Sequence, residues 1–537
     1  MLDSIKKVEA NRKDRITYLP QRMTAQEKKD ILKKYHPDFR EEGFSTIKLG
    51  PNKGQKAPLE LTELLHSNSR LIGQNIDLTK IDHDIDVLVI GGGGAGCAAA
   101  IEAKKAGSRV IISTKLRIGD SNTVMAEGGI QAANKENDSP KQHYLDTFGG
   151  GHFEAKPELL KRLVLDGPLA IAWLNELGVM FDKAEDGTMV TTHGGGTSRK
   201  RMHACKDVTG AEISRVLKDE VKNLSIPVLE YTSAIELILD DNSLVAGAVL
   251  YNAIIGKYFI VKAKSVIIAT GGSGRMHYNG FPTSNHYGAT GDGLVIAYRA
   301  GAPLKNQDSI QYHPTGTAFP PQIYGALITE KTRAIGAMMI NIDAEVFCHP
   351  LETRDVASSA IIREIKDRNK GITLSTGVKG VWLDTPMIDL IHGDGFLENR
   401  IPGQMHMFSN YGIDMRKVPV LIYPTFHYQN GGIEVEPDSN SPNLPNLFIA
   451  GEAAGGIHGR NRLMGNSLLD IIVFGRISGK NAAKFSAKHS VGNLSLKHIN
   501  EYKETLKTLS LETGITSPIL YPSYARNVND RKLVQTA

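Results

Sequence analysis

The sequence predicts an α/β fold in which a Rossmann-like dinucleotide-binding domain is interrupted by an inserted α+β domain and followed by a short helical tail. Three observations predict it. An apolar strand pattern runs into a glycine-rich turn near residues 87–96, 263–274 and 447–456. Between the second and third of these, residues 307–424 break into short segments rich in Pro, Gly and polar clusters. After about residue 488 the pattern becomes charged and helical.

Composition narrows the function classes. A chain of 537 residues is long enough for two or three domains. Its net charge of +5 is mild and forms no basic stripe, so nucleic acid is not an expected partner. No apolar run reaches membrane-spanning length and no apolar leader is evident, so we expect a cytoplasmic protein. A membrane association would come through partner subunits.

The cysteines and histidines argue against a metal centre in this chain. Cys97, Cys205 and Cys348 lie far apart in the sequence and form no C-x-x-C pair. They are therefore not expected to hold an iron–sulfur cluster or a disulfide framework, which fits a reducing compartment. Histidines outside the motifs described below scatter without ligand spacing, so no metal site is expected.

Residues 1–80 form an N-terminal arm that differs in character from the dinucleotide-binding region after it. Thr24 and Glu27 have capping-box spacing and predict a short helix. Residues 38–74 predict an extended segment with a short helix near residues 60–65. Two interpretations have equal weight, a loosely packed leader and an arm that docks on a partner subunit.

The first glycine turn opens the predicted dinucleotide-binding domain, of which residues 81–306 form the first part. Gly91, Gly93 and Gly96 satisfy G-x-G-x-x-G between an apolar strand and an alanine-rich helix, the arrangement that accommodates a pyrophosphate. A second strand completes a βαβ unit. It ends at Ser113 and Lys115, where an acidic residue often holds the ribose, so a hydroxyl group must serve here.

Two further regions predict close approach of the backbone to a flat ligand. Residues 119–133 are small and include the pair Gly128 and Gly129. Residues 425–488 return to the strand-and-turn pattern after the inserted domain, and a helix is predicted over 467–485. They would form the second part of the dinucleotide-binding domain, with residues 489–537 as the helical tail.

Several motifs occur together in one order. They are S-N-T-x-x-A-E-G-G-I, T-G-D-G, Q-Y-H-P-T-G, I-T-E-x-x-R, T-R-D-V, H-Y-x-x-G-G-I and H-G-x-N-R-L-x-x-N-S-L, beginning at residues 121, 290, 311, 328, 353, 427 and 458. In this combination the chain resembles the flavoprotein subunits of fumarate reductase and succinate dehydrogenase, a family that includes L-aspartate oxidase. The resemblance covers residues 83–485, about three quarters of the chain.

The resemblance implies FAD in the dinucleotide-binding domain, with the inserted domain capping the flavin. The residues it places at FAD, together with those of the first turn, are Gly91, Gly93, Gly96, Ser113, Lys115, Asn122, Thr123, Glu127, Gly128, Gly129, Asp292, Glu452, Asn466, Ser467 and Leu468. In membrane-complex members a histidine at the position of Asn122 bonds covalently to FAD. Asparagine cannot form that bond, so the resemblance implies non-covalent FAD and favours reduction of an acceptor over oxidation of succinate.

The resemblance also implies how a substrate such as fumarate would be reduced to succinate. His427 and Arg462 would bind one carboxylate, and His313 and Thr329 the other. Hydride would come from flavin N5. Arg354 would deliver the proton, and Glu330 and Arg333 would return a proton to Arg354.

The departures from the family pattern leave alternatives open. Arg333 is followed by Ala-Ile-Gly-Ala where the family has Gly-Glu-Gly-Gly, and Arg460 adds a cation that would either favour a more anionic substrate or pair with an acid. Electrons are expected from a separate iron–sulfur subunit, since no cluster ligands occur here. The alternatives are L-aspartate oxidase and a flavin electron-transfer subunit of a larger redox complex.

Overall fold

The computed structural model describes residues 1–511 and 514–520. Within these ranges the helices are α1 (Leu2–Ala10), α2 (Arg12–Arg15), α3 (Ala25–Tyr35), α4 (Leu59–Leu65), α5 (Gly94–Lys105), α6 (Pro140–Gly150), α7 (Pro157–Glu176), α8 (Thr209–Asn223), α9 (Asp292–Arg299), α10 (Lys331–Ala334), α11 (Arg354–Lys366), α12 (Met387–His392), α13 (Phe396–Arg400), α14 (Pro402–Ser409), α15 (Asn466–Ser486) and α16 (Lys497–Thr508). No helix in the described ranges combines the length and apolar character needed to cross a bilayer. Of the predicted tail, residues 512–513 and 521–537 lie outside the described residues.

The strands follow the same chain order. They are β1 (Phe44–Thr46), β2 (Lys56–Pro58), β3 (Asn68–Ser69), β4 (His83–Ile90), β5 (Val110–Ser113), β6 (Ile130–Gln131), β7 (Thr191–Thr192), β8 (Met202–His203), β9 (Val228–Leu229), β10 (Thr232–Asp240), β11 (Val245–Asn252), β12 (Lys257–Ile268), β13 (Leu304–Lys305), β14 (Ile310–Thr317), β15 (Met338–Ile340), β16 (Ile372–Thr373), β17 (Lys379–Asp384), β18 (Val420–Gln429), β19 (Gly432–Glu434), β20 (Leu447–Ile449), β21 (Ala454–Gly455), β22 (Leu494–Ser495) and β23 (Thr516–Ser517).

A mixed sheet in the order β22-β10-β11-β12-β4-β5-β9, with β20 also paired to β12, forms the first domain. Strands β4, β5, β12 and β20 are parallel to one another. Because the carboxyl ends of parallel strands meet at one edge of a sheet, the three predicted glycine turns lie side by side, after Ile90, Ile268 and Ile449. The predicted α/β class is confirmed.

Small side chains allow the helices of this domain to pack closely on the sheet. Helix α5 is rich in alanine and almost wholly buried, with Ala98 and Ala99 fully inaccessible to solvent, and α15 packs along it. Strands β4 and β12 end in continuous apolar runs, as expected for parallel strands covered on both faces. The resulting core extends through both parts of the domain and includes the residues before the glycine turns, Ile90, Ile268 and Ile449.

The inserted segment, which we call the capping domain, has its own sheet and core. Its sheet runs β14-β18-β17-β15, with β16 on β17. Helix α11 covers the sheet and contributes Ala357 and Ile361 to a separate apolar core. Strand β18 continues through residue 424, the predicted end of this segment, and so links the capping domain directly to the second part of the first domain.

The N-terminal arm (residues 1–80) packs against both domains of its own chain. The predicted capping box at Thr24 is confirmed, and Ile31 and Leu32 of α3 are buried in the capping-domain core. Arg15 in α2 forms a buried ion pair with Asp384 at 2.7 Å. Further along, the side chains and backbone of residues 49–55 bond to α9 and β13 of the first domain. The arm therefore connects the two domains, and docking of a partner subunit stays a prediction.

Candidate active site

The first glycine turn places backbone against backbone at the sheet edge. Gly91 has φ +122°, and a Cβ atom there would lie 2.2 Å from the carbonyl oxygen of Ala269. A Cβ atom on Gly96 would lie 1.9 Å from the carbonyl oxygen of Gly91. Any larger side chain at either position would push α5 and β12 away from β4. Glycine is therefore required here by packing within the protein as well as by any ligand.

A long cleft of about 1350 Å³, its open mouth included, runs along this edge towards the capping domain. Within the described part of the chain, Thr270 Oγ1 on its wall is buried without a hydrogen-bond partner. The glycine walls, the start of α5 and this free hydroxyl suit an elongated dinucleotide with phosphates. The predicted residues on the cleft wall are Gly91, Gly93, Ser113, Lys115, Asn122, Thr123, Asp292, Glu452, Ser467, Leu468, His427 and Arg462.

The other residues predicted at the cofactor lie behind this wall. Glu127 accepts a hydrogen bond from Gln404 of the capping domain at 2.8 Å, and burial raises the pKa of its carboxyl well above the usual range. A Cβ atom on Gly128 would lie 2.5 Å from the methyl carbon of Met464. Asn466 bonds to side chains of α6. Like Gly96 and Gly129, these residues do not line the cleft in the described part of the chain.

Asn122 joins three segments at the middle of the cleft. Its amide nitrogen donates to Glu452 Oε2 at 3.0 Å and to Asn285 Oδ1 at 2.7 Å, and its oxygen accepts from the backbone of His286 at 2.5 Å. Burial raises the pKa of Glu452. Every polar atom of the Asn122 side chain thus has a protein partner, and the residue orders the wall instead of pointing a nucleophile into the cleft.

An ion pair lies on the cleft wall just after β5. Lys115 Nζ lies 2.9 Å from Asp292 Oδ2 and also donates to Thr290 Oγ1 and to the backbone oxygen of Ile519. Ser113 donates to the Thr232 carbonyl at 2.7 Å. The end of β5, where a ribose is expected, is therefore neutral and already hydrogen-bonded within the protein.

Three predicted catalytic residues meet at the start of α11. Arg354 Nε donates to Glu330 Oε2 at 2.8 Å, and Arg333 Nη2 lies 3.3 Å from the same oxygen. The other oxygen, Glu330 Oε1, accepts from the backbone N–H of Gly195 at 2.5 Å. We call Arg354, Glu330 and Arg333 the relay. All three are buried, so the contacts between them are shielded from bulk water.

The charges of the relay oppose the cost of burial. Burial works to raise the pKa of Glu330, but the guanidinium groups of Arg354 and Arg333 outweigh it, and the pKa of Glu330 lies below its usual value. Burial lowers the pKa of Arg333, and Glu330 limits that shift. The two arginines that flank Glu330 therefore favour its ionised form in spite of its burial.

Two histidines face each other beside the relay. The ring centroids of His313 and His427 are 5.0 Å apart, and His427 Nδ1 lies 2.8 Å from the hydroxyl of Ser284. Burial, followed by the positive charge of Arg354, lowers the pKa of both rings well below the usual value. Among the residues that the structure describes, the buried His313 Nε2 has no hydrogen-bond partner, and Glu330 Oε2 lies 4.0 Å from it. The pair therefore presents neutral imidazoles, one with a free ring nitrogen.

Arg462 reaches the same space from the first domain. Its guanidinium stacks 4.3 Å from the centroid of the Tyr428 ring, and Nη1 donates to Ser467 Oγ at 3.0 Å. Burial, and then repulsion from Arg354, lower the pKa of Arg462 to about 9. Thr329, which precedes Glu330, is buried, and its hydroxyl accepts a hydrogen bond from the backbone N–H of Lys331 at 3.4 Å. Arg462 and His427 of the first domain therefore lie beside His313 and Arg354 of the capping domain, an arrangement that suits a dianionic ligand.

The structure adds Gln311 and Tyr428 to the predicted residues. Gln311 Oε1 accepts from Arg354 Nη1 at 2.9 Å and from Arg462 Nη2 at 3.0 Å. Both residues belong to motifs that the sequence had already singled out, Q-Y-H-P-T-G and H-Y-x-x-G-G-I. Their occurrence in those motifs could have identified them from the sequence. Only the fold shows that Gln311 contacts Arg354 and Arg462 and that Tyr428 contacts Arg462.

Arg460 does not extend the positive charge of this space. Its guanidinium lies 3.0 Å from Asp308 and 3.6 Å from Glu154. Of the two interpretations offered for it, pairing with an acid is the one that the geometry favours. Within the described residues no group of three His, Cys, Asp or Glu side chains has an arrangement that could hold a metal ion.

Comparison with known proteins identifies relatives of this chain. Residues 86–468 match the family model of a FAD-binding domain. One chain of the fumarate reductase (CoM/CoB) of Methanothermobacter marburgensis is 37% identical over 413 residues, covering 75% of this chain and 73% of the relative. The L-aspartate oxidase of Streptomyces coelicolor is 33% identical, covering 76% of this chain and 70% of the relative.

A solved structure agrees with these similarities. The quinol fumarate reductase of E. coli superposes with a TM-score of 0.71 at 28% sequence identity. The match covers 79% of this chain and 74% of that one. The similarity therefore includes both the dinucleotide-binding and the capping domain of the chain.

Proposed function

The chain belongs to the family of flavoprotein subunits of fumarate reductases and succinate dehydrogenases, and we propose that it reduces fumarate, or a similar unsaturated dicarboxylate, to succinate. It is a FAD-dependent oxidoreductase. The observation that carries the proposal is the contact between Arg354 and Glu330 at 2.8 Å, directly beside the two neutral histidines and Arg462. That arrangement provides a proton donor among groups that bind carboxylates.

Two pairs of residues bind the two carboxylates of the substrate. Arg462 and His427 hold one carboxylate of the substrate, and His313 and Thr329 hold the other. The free Nε2 of His313 is available for this contact. Drawing both carboxylates towards positive charge and ring N–H groups lowers the electron density of the double bond, which prepares it for addition of a hydride. When bound, FAD supplies that hydride.

The relay supplies the proton. Arg354 gives a proton to the substrate carbon opposite the hydride. The ionised Glu330 then takes a proton from Arg333 and passes it to Arg354, because both guanidinium groups lie at its Oε2 oxygen. An arginine, with an ordinary pKa of about 12.5 or above, can act as an acid only if it regains its proton at once. The burial of all three residues supports this role.

FAD is held without a covalent bond in this proposal, because Asn122 occupies the position expected for attachment and has no nucleophilic atom. Electrons come from an iron–sulfur partner subunit. The three cysteines, Cys97, Cys205 and Cys348, are buried and free, and they provide no cluster site of their own. We propose that the protein works in the cytoplasm or at a membrane through such partners.

The test is anaerobic mixing of the reduced holoprotein with fumarate. We expect rapid return of the oxidised flavin spectrum and one succinate formed per FAD. A reduced protein that stays bleached would favour an electron-transfer subunit instead. Purification from native extract should also recover an iron–sulfur companion.

A second candidate is L-aspartate oxidase, because the S. coelicolor enzyme is similar over three quarters of this chain. The same carboxylate-binding groups would hold aspartate. Incubation with L-aspartate and oxygen decides between the two, since the oxidase produces hydrogen peroxide and the reductase does not.

A further inference from the structure

The N-terminal arm contacts the segment that leads into Arg354. We call residues 348–353 the relay turn. Glu352 Oε1 accepts from the backbone N–H of Met23 at 2.9 Å, and its Oε2 lies 2.8 Å from Lys28 Nζ. Arg22 donates to the carbonyl oxygen of Leu351 at 2.9 Å. Glu352 is completely buried by these contacts.

The other side of the relay turn holds the relay itself. Arg333 Nη1 donates to the carbonyl oxygen of Pro350. A Cβ atom on Gly195, whose N–H binds Glu330, would lie 3.2 Å from the carbonyl oxygen of Glu352. The turn then passes directly into α11 at Arg354. The relay turn therefore contacts Arg333, packs against the glycine that binds Glu330, and leads directly into Arg354.

Glu352 lies where the arm and the relay turn meet. A buried carboxylate needs its partners, because removing them leaves an unpaired charge away from water. Since α3 also packs along α11, the arm supports the relay turn from two directions. A small displacement of the relay turn would slow the reaction, because the rate of proton transfer falls steeply when donor and acceptor move apart.

We propose that Glu352 is a positioning residue of the active site, and that the N-terminal arm holds it so that Arg333 and Arg354 stay within proton-transfer distance of Glu330. This inference rests on the proposed reduction of an unsaturated dicarboxylate. It makes the arm part of the enzyme's catalytic structure and not only a docking segment.

The test compares Glu352→Leu with the wild-type holoprotein in anaerobic reoxidation by fumarate. We expect the rate at saturating fumarate to fall about 10- to 100-fold, with KM and FAD content changed less than about 3-fold. Because proton delivery becomes rate-limiting, the solvent deuterium isotope effect should increase above the wild-type value. Glu352→Gln, which keeps an acceptor for Met23, should recover most of the rate.

The matched control is Asp367→Ala. Asp367 binds Lys34 and Tyr35 of the arm just beyond the far end of α11, away from the relay. It should leave both rate and isotope effect unchanged. Equal losses in the control and in Glu352→Leu would overturn the inference, since they would reflect loosening of the arm in general.

Two further outcomes are decisive. A wild-type rate and isotope effect in Glu352→Leu would refute the inference while leaving the proposed function intact. If wild-type protein itself is not reoxidised by fumarate, the proposed function fails and this inference fails with it. Should Glu352→Leu not fold, Lys28→Met decides, because it keeps the sequence of the relay turn and removes the ion pair with Glu352. It should slow the rate at least about 3-fold, and no slowing would count against the proposal.

Discussion

Arg354 and Arg462 approach each other through one shared acceptor, the side-chain oxygen of Gln311, at 2.9 and 3.0 Å. The two cations come from different domains and are both buried. Their charges repel, and the Glu330 carboxylate beside Arg354 and the neutral amide oxygen of Gln311 offset that repulsion only in part. A ligand that brings two negative charges relieves it more fully, which favours a dicarboxylate at this position.

Replacing Gln311 with Glu should weaken substrate binding. The added carboxylate would neutralise the two arginines internally and repel the incoming dianion, so we expect KM for fumarate to rise at least about 10-fold. Steady-state reduction of fumarate by a reduced dye measures it. The exposed Gln26→Glu serves as control and should behave as wild type. An unchanged KM in Gln311→Glu would mean that Arg462 does not bind the substrate.

Replacing Arg354 with Gln should abolish proton delivery. We expect turnover to fall by about 10²- to 10⁴-fold, the usual contribution of a general acid, while the protein keeps its flavin spectrum. Arg368→Gln, a partly exposed arginine just beyond the same helix, is the matched control. Retention of activity in Arg354→Gln would require another proton donor.

Acid denaturation should release all the FAD from the wild-type protein, since Asn122 cannot attach it. Asn122→Ala removes the bonds to Glu452, Asn285 and His286, so FAD affinity should fall about 10-fold. Flavin fluorescence during titration of the apoprotein gives the dissociation constant. The exposed Asn410→Ala should not alter it. Flavin that stays with the precipitated polypeptide would contradict the non-covalent assignment.

Stability should decline as pH falls from 6.5 towards 4. Burial lowers the pKa of His36, His143 and His203 to about 4, whereas in the unfolded chain they titrate near 6.5. In this window the unfolded state binds more protons, so each histidine removes about 2 kcal/mol of unfolding free energy by pH 5. Thermal melts at pH 7 and pH 5 measure the decline.

The variant His143→Gln tests the source of that decline. It should reduce the difference in melting temperature between pH 7 and pH 5, although it also loses the contact with Asn466. His489→Gln, at an exposed position, should leave the difference as in wild type. A pH dependence unaffected by His143→Gln would assign the decline to other groups.

Local sequence patterns predicted much of this fold because the responsible interactions are local. The capping box at Thr24 depends on residues three apart. The strand before Gly91 and the helix after it follow from apolar and alanine runs within 20 residues. The change in pattern at residues 307–424 predicted an inserted segment, and this part of the chain has its own sheet and core. Strand β18 nevertheless continues through residue 424, because a strand paired on both sides does not end where composition changes.

Contacts between distant residues were not accessible in the same way. Glu352 and Lys28 are 324 positions apart and Arg462 and Gln311 are 151 apart, so no periodicity links the members of either pair. The sequence also left the arm between two interpretations, since amphipathic spacing shows that α3 has an apolar face but not what covers it.

The sequence by itself determined the α/β class and the glycine turns, and it singled out the residues that we propose bind FAD and a dicarboxylate. Tertiary structure alone decided that Gln311 joins the arginines, that Arg460 is neutralised by Asp308 and Glu154, and that the arm braces the relay turn. The reason is physical. Backbone conformation responds to neighbours along the chain, whereas charge pairing and burial depend on which segments the completed fold brings together.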